Sequence, residues 1–473
     1  MLTRLEVNGF KNLVDFTLDF GPFTCIAGPN GVGKSNIFDA IRFLSLLTDH
    51  TIMEAALQVR EGDPDTANLN DLFFTDGEKR WEHFEIAAEM IVEEEVEDDF
   101  GMPAKASSTF LRYEVAFRYQ KPSKTNGNRE RIILDREELK YILKGDAEKH
   151  IHFPHSKEKF RDMLIKNRRQ GKDFISTGKL PNGKPGISVH QDGGSRGRPS
   201  QLYPAEAAPN TIVKNTNTMD LPTILAARQE MHQWRILALE PSAMRSPNRY
   251  RDDPPTIGAN GEHLPATLNR LENSSISSDR KADVLAEIAS ELSGLVAVTS
   301  VSVSRDDVRK LLTLDIEEPS GARFPASSIS DGTLRFLALA IMAHDPQTRG
   351  LIAIEEPENG IHPEKLEIMA NLLRDMAIRT DEEPGEDNPM RQIIVSTHSP
   401  YFLQLQNPDD LVLAKERTIS LESESSQRTL QCLAIRESWR SKIPNVNVIG
   451  NVAISSYLKP PRGTQMILPV ELW

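Results

Sequence analysis

Cysteine is nearly absent. Cys25 and Cys432 are the two in 473 residues, too few for a disulfide framework, and Cys25 lies inside an apolar stretch. That usage suits a reducing cytoplasm and excludes the small disulfide-stapled secreted classes. Long apolar runs are missing too. The longest, FLALAIMA at 336–343, is far too short to cross a bilayer. The opening MLTRLEVNGFK has no apolar core of the kind a signal peptide needs, so a cytoplasmic protein without a membrane segment is expected. Positive charge is in deficit: 56 Lys and Arg face 69 Asp and Glu, a net charge of −13. This argues against uniform coating of nucleic acid and leaves room for a local basic face. No internal repeat and no sustained heptad pattern stands out. What is present, 38% hydrophobic and 26% charged residues, allows a large core and two or three lobes.

The densest chemistry is GPNGVGKSN at 28–36. Gly28-x-x-x-x-Gly33-Lys34-Ser35 has the spacing of a phosphate-binding loop, in which glycines let backbone N–H groups turn inward toward phosphate oxygens. Lys34 would reach the β- and γ-phosphates, and the Ser35 hydroxyl would ligate Mg²⁺. Upstream, PFTCIAG reads as a short buried strand; downstream, Ile37, Ala40, Ile41, Leu44 and Leu47 fall at helical spacing. The loop would therefore open a helix whose dipole faces the anion. Asn30, Gly31, Val32, Gly33, Lys34, Ser35 and Asn36 are the expected ATP contacts.

A phosphate loop requires partners for Mg²⁺ and for the attacking water. In LIAIEEPENGIHP (351–363) an apolar strand ends in Glu355 and Glu356. The first carboxylate can enter the Mg²⁺ shell and the second can orient or deprotonate water. RQIIVSTHSP (391–400) is another apolar strand, with His398 at its tip. SSISDGTLRFLALAIMA (327–343) places Ser330, Asp331 and Gly332 before an apolar helix, a second anion-binding helix start.

The order of GPNGVGKSN, SDGTLR, IAIEEPENGIHP and VSTHSP, with LEVNGFKNL at the front, resembles the ABC-type ATPases of the SMC/RecF/OLD group. The resemblance covers about half the chain and leaves out 121–280. It implies an α/β fold, a P-loop ABC-type ATPase head of mixed β-sheet with flanking helices, an antiparallel β-subdomain and an α+β insertion. It further implies that two heads sandwich ATP. Ser330, Asp331 and Gly332 would act in trans on the partner's γ-phosphate, Glu355 would support Mg²⁺, and Glu356 would be the catalytic base. Glu358, Asn359 and Gly360 would form the D-loop and His398 the switch. Three departures stand out: Glu355 replaces the usual Asp, Asp331-Gly332-Thr333 replaces a Gly-Gly-Gln type of signature, and the Q-loop has no clear match. Gln58 is the first candidate for it and Asn70 the second; Lys11 is a further residue that could reach nucleotide.

The expected division is 1–120 for the N-terminal part of the head, 121–280 for a basic accessory insertion, and 281–473 for the C-terminal part. KEKFRDMLIKNRRQ (157–170) reads as helix, 49–80 as irregular, and EEEVEDDFGMPAKASS as an exposed acidic connection. The stretch 144–200 is rich in basic residues, including Lys166, Arg168, Arg169, Arg196 and Arg198, and offers a possible DNA or RNA contact. His150, His152 and His155 have metal-like spacing without a second ligand group. The space where SMC members carry coiled coils holds this insertion, and the tail after His398 is too short for a TOPRIM domain. The resemblance is thus to stand-alone OLD-like ATPases of bacterial anti-phage systems such as Septu or PARIS. It implies a homodimer or larger homo-oligomer that gates a separate effector, a nuclease of TOPRIM or HNH type. A RecF-like DNA-repair ATPase is the alternative.

Overall fold

The computed structural model describes residues 1–450 apart from 60–67, 77–78, 123–128, 170, 193–201, 251–255, 275–277 and 421–425. Arg196 and Arg198 lie outside the described residues.

Alternation shapes the first sheet. In Leu2–Asn8 the side chains of Leu5 and Val7 are buried while Arg4, Glu6 and Asn8 are half-buried, the two-residue period of a strand with one core face. The strand forms the expected hairpin with Phe16–Asp19 and pairs on its other edge with His83–Ile91. The sheet continues antiparallel through Phe110–Gln120, Arg131–Tyr141, Ile175–Lys179, Pro185–Val189 and Leu202–Pro204. Strands from the 121–280 segment thus extend a sheet begun by the first 120 residues.

The second sheet is built from unbroken apolar runs. Its order is Arg235–Leu237, Gly350–Glu355, Arg391–Thr397, Phe23–Ala27, Leu411–Ser420, Ser426–Ile435 and Val448–Ile449; the first five are mutually parallel. Parallel strands must be covered on both faces. Ile26, Ala353 and Ile394 pack on the side of helix Lys34–Leu46, which lies against the antiparallel sheet through Ile37, Ile41 and Phe43. Cys25, Ile352, Ile354, Ile393 and Val395 pack on the other side, against Leu334, Leu337 and Ile341 of helix Asp331–His344. A small antiparallel sheet of Ser300–Asp306, Leu311–Glu317, Arg323–Pro325 and Asn248–Arg249 adjoins that second layer. Among the described residues no helix is long and apolar enough to cross a membrane.

Two local expectations are corrected. Among the described residues of 157–170 there is only a π-turn, Lys157–Arg161, and one further turn, Asp162–Leu164. Beyond it the backbone is taken by a neighbour: the Thr109 hydroxyl donates to Leu164 O at 2.6 Å and accepts from Lys166 N–H at 2.8 Å. A side chain that satisfies these groups removes the advantage of continuing the helix. Conversely, the 49–80 region contains helix Ile52–Gln58, started by a reciprocal Thr51–Glu54 capping box. The acidic connection folds back as a two-stranded hairpin, Glu95–Glu97 with Pro103–Lys105. His150, His152 and His155 point to three different partners, Glu89, Asp19 and the Phe153 carbonyl.

Candidate active site

Strand register assembles the site. Thr397 lies opposite Ala27, and Ser396 opposite both Ile26 and Glu355. The ends of the loop strand, the histidine strand and the carboxylate strand therefore meet at one carboxyl edge, the usual binding edge of a parallel sheet. Gly28 N–H donates to Thr397 O at 3.1 Å, joining loop to strand end.

Asn30 and Gly31 are exposed, Val32 is buried, and Ser35 and Asn36 are half-buried. Gly33 has φ 102°, and a Cβ there would come within 2.2 Å of the Asn12 amide, so only glycine fits this turn. Asn12 donates to Val32 O at 2.9 Å and accepts from Asn36 at 2.7 Å, bracing the loop from the first hairpin. Nothing in the sequence pattern pointed to it. Helix Lys34–Leu46 begins with no side-chain cap and no acidic residue in its first turn, and Asn36 N–H donates back to Gly33 O at 3.0 Å.

Lys34 is buried, and its ammonium donates to Gly28 O at 2.7 Å and Pro29 O at 2.9 Å. Burial lowers its pKa, while Glu356, Glu355 and Glu358 pull it back upward. The Ser35 hydroxyl donates to Glu355 Oε2 at 3.0 Å. Desolvation raises the Glu355 pKa, and the Asp39 and Glu356 charges add to this against the Ser35 hydrogen bond and the Lys34 charge.

Glu356 adopts φ 49°, a left-handed conformation uncommon for a side chain of this size. It is held on both carboxylate oxygens: His398 Nδ1 lies 2.6 Å from Oε1 and Asn359 Nδ2 2.8 Å from Oε2. An ionised carboxylate only accepts, so this contact places the His398 proton on Nδ1. Glu358 turns inward, where Thr397 donates to its Oε1, and desolvation raises its pKa.

The structure therefore brings Lys34, Ser35, Glu355, Glu356 and His398 together. A cavity of about 530 Å³ lies beside them, lined by Ser35, Glu355, Glu356 and Asn359 and also by Asp39, Arg42, Glu240 and Arg335. Val59 lines it, but Gln58 and Asn70 do not. Lys11 bonds Asp39 at 2.6 Å, on the cavity's wall. The segment Leu237–Glu240 completes the lining; it continues the edge strand of the parallel sheet and carries no glycine or carboxylate pattern by which the sequence marks it.

Ser330 caps helix Asp331–His344, its Oγ accepting from Thr333 N–H at 3.3 Å. Asp331 accepts from Arg245 at 2.5 Å, and Arg245 also donates to Ile329 O at 2.7 Å. Gly332 touches the turn after the carboxylates so closely that a Cβ would sit 2.1 Å from Gly360 O. Gly332→Ala is expected to cost about 1–3 kcal/mol of stability, read as a lower denaturant midpoint. An unchanged midpoint would mean that the two turns part freely.

Two family models match this chain. One, described as an AAA domain, covers residues 4–184; the other, described as an AAA domain, putative AbiEii toxin, Type IV TA system, covers 220–404. A DNA replication and repair protein RecF from Corynebacterium jeikeium is 30% identical over 88 residues, 18% of this chain and 20% of the relative. An OLD nuclease from Thermus scotoductus is 54% identical over 41 residues, 9% of this chain and 8% of the relative. This chain thus spans a fifth or less of those two relatives. Among solved structures, an Smc head bound to the C-terminal winged-helix domain of ScpA aligns over 92% of this chain and 97% of its own, at 14% identity and a TM-score of 0.44. AAA-domain models on both halves, together with the short RecF and OLD matches, support an SMC/RecF/OLD-type ATPase.

Proposed function

We propose that the protein binds and hydrolyses ATP, that nucleotide closes two heads into a dimer, and that this closure regulates a separate effector, a nuclease, in bacterial anti-phage defence. The observation that carries the ATPase reading is the meeting of Lys34, Ser35, Glu355, Glu356 and His398 at one sheet edge, linked by the Ser35–Glu355 and His398–Glu356 contacts. In this reading Lys34 exchanges its loop carbonyls for phosphate oxygens, and the N–H groups of 30–35 line the anion. Ser35 and Glu355 would hold Mg²⁺; their hard oxygens suit it. When bound, the ion supplies charge neutralisation on the phosphates. Glu356 orients a water and takes its proton as the γ-phosphorus–oxygen bond to ADP breaks. His398 steadies Glu356 through Nδ1–H and, with both ring nitrogens protonated, would also donate Nε2–H to the γ-phosphate.

Ser330, Asp331 and Gly332 would cap the partner's nucleotide, with Glu358–Gly360 between the two sites. The γ-phosphate then favours the closed pair over the open one, which is the differential affinity a ligand-driven switch needs. The wording of the C-terminal family model, which names a toxin system, supports the effector-linked role. The direct test is ATP turnover by the purified protein together with its mass in solution with and without ATP. Failure to bind ATP rejects the reading.

The RecF-like alternative needs 144–200 as a nucleic-acid groove. Several of its described basic side chains are engaged internally: Arg168 bonds Glu94 at 2.6 Å, Lys184 bonds Glu206 at 2.6 Å, and Lys144 pairs with Asp162 at 3.2 Å. Arg169 donates to Lys172 O and Gln191 O and stacks over Phe174. Changing Lys166, Arg168 and Arg169 to Glu is therefore expected to leave DNA affinity and its salt dependence unaltered in a titration. A reduced salt slope would favour the repair reading.

A further inference from the structure

Helix Asp331–His344 is apolar from Gly332 to Ala343 with one charged exception, Arg335, half-buried one turn beyond Ser330. A charge in such a helix needs partners to offset its lost hydration, and Arg335 has two backbone carbonyls from distant segments. Its Nη1 donates to Asn359 O at 3.0 Å and its Nε to Leu239 O at 3.3 Å. The Asn359 side chain in turn donates to Glu356 Oε2. Arg335, Leu239, Asn359 and Glu356 all line the cavity beside Ser35 and Glu355. Two hydrogen bonds, one to the Asn359 backbone and one from its side chain, thus connect the helix that starts at Ser330 to the Glu356 carboxylate through Asn359.

We propose that Arg335 is a positioning residue for hydrolysis, holding Asn359 so that Asn359 aims Glu356 and transmitting movement of the Ser330 helix to that carboxylate. The inference rests on the reading of Glu356 as the base. Arginine suits the task because its planar fork serves two carbonyls in fixed directions; lysine, a point donor, serves one at a time. Arg335 contacts no reacting atom, so its effect belongs in kcat and not in nucleotide affinity.

The test compares Arg335→Met, Arg335→Lys, Asn359→Ala and the Arg335→Met/Asn359→Ala pair in steady-state ATP hydrolysis, with ATP binding and thermal melting measured alongside. Arg335→Met is expected to lower kcat about tenfold with KM and Kd for ATP unchanged, and Arg335→Lys to recover part of the loss. The double variant is expected to fall within about twofold of the slower single one, because both changes break one route. Additive losses, an unchanged kcat, or a raised KM at constant kcat would overturn the proposal. If Arg335→Met fails to fold, the Lys variant with Asn359→Ala carries the same comparison. A wild type that turns over no faster than Glu356→Gln would instead remove the reading of Glu356, whatever Arg335 does.

Discussion

Glu356→Gln is expected to bind ATP as the wild type does and to hydrolyse it about 10²–10⁴-fold more slowly, the usual worth of a positioned general base. Glutamine preserves shape and still accepts the Asn359 hydrogen bond seen at 2.8 Å, but it cannot take a proton from water. Its NH2 then faces His398 Nδ1–H, donor to donor, so the 2.6 Å contact is lost unless the imidazole changes tautomer. Because ATP is retained unhydrolysed, the variant should accumulate as a closed dimer, visible as a doubled mass by light scattering when ATP is present. Equal turnover by variant and wild type, in preparations free of contaminating ATPase, would remove Glu356 from the mechanism.

Lys34→Ala addresses binding, with an effect of comparable size. The ammonium is the positive charge at the base of the loop, facing Glu355, Glu356 and Glu358. Its removal leaves those carboxylates opposing the triphosphate and strands the Gly28 and Pro29 carbonyls that it now satisfies. Truncating one member of a buried, charge-assisted contact costs about 2–5 kcal/mol, which corresponds to a roughly thirtyfold to several-thousandfold rise in Kd. Calorimetric titration with ATP and Mg²⁺ measures it. An unchanged Kd would mean that the nucleotide sits elsewhere. The two variants separate binding from chemistry: one loses affinity, the other turnover.

The parts of the site that can be read from sequence are those in which a few adjacent residues do one job. A phosphate loop is nine consecutive positions, and a strand that ends in Glu355 and Glu356 is a local pattern. The helix starts at Lys34 and Ser330 and the first hairpin were legible for the same reason. Other features depend on contacts made at a distance. Asn12 braces the loop from twenty-four positions away through Asn36, and an asparagine after a turn carries no mark of that role. Glu358, grouped by motif with an intersubunit turn, faces inward to Thr397. The 157–170 segment has the composition of a helix, yet Thr109 takes its backbone groups.

By itself the sequence determined which chemical groups exist and the strand or helix end on which each one stands. Lysine and serine follow a glycine turn, two glutamates close one apolar strand, a histidine closes another, and a serine opens an apolar helix. Only the tertiary structure decided that these ends share one edge, that Asn12 secures the loop, and that Arg335 reaches Asn359 and Leu239. The physical reason is register. Contacts between residues hundreds of positions apart, such as Ser35 with Glu355, follow from which strands pair and with what offset, and that offset is set by packing on both faces of the sheet, not by any neighbouring residue.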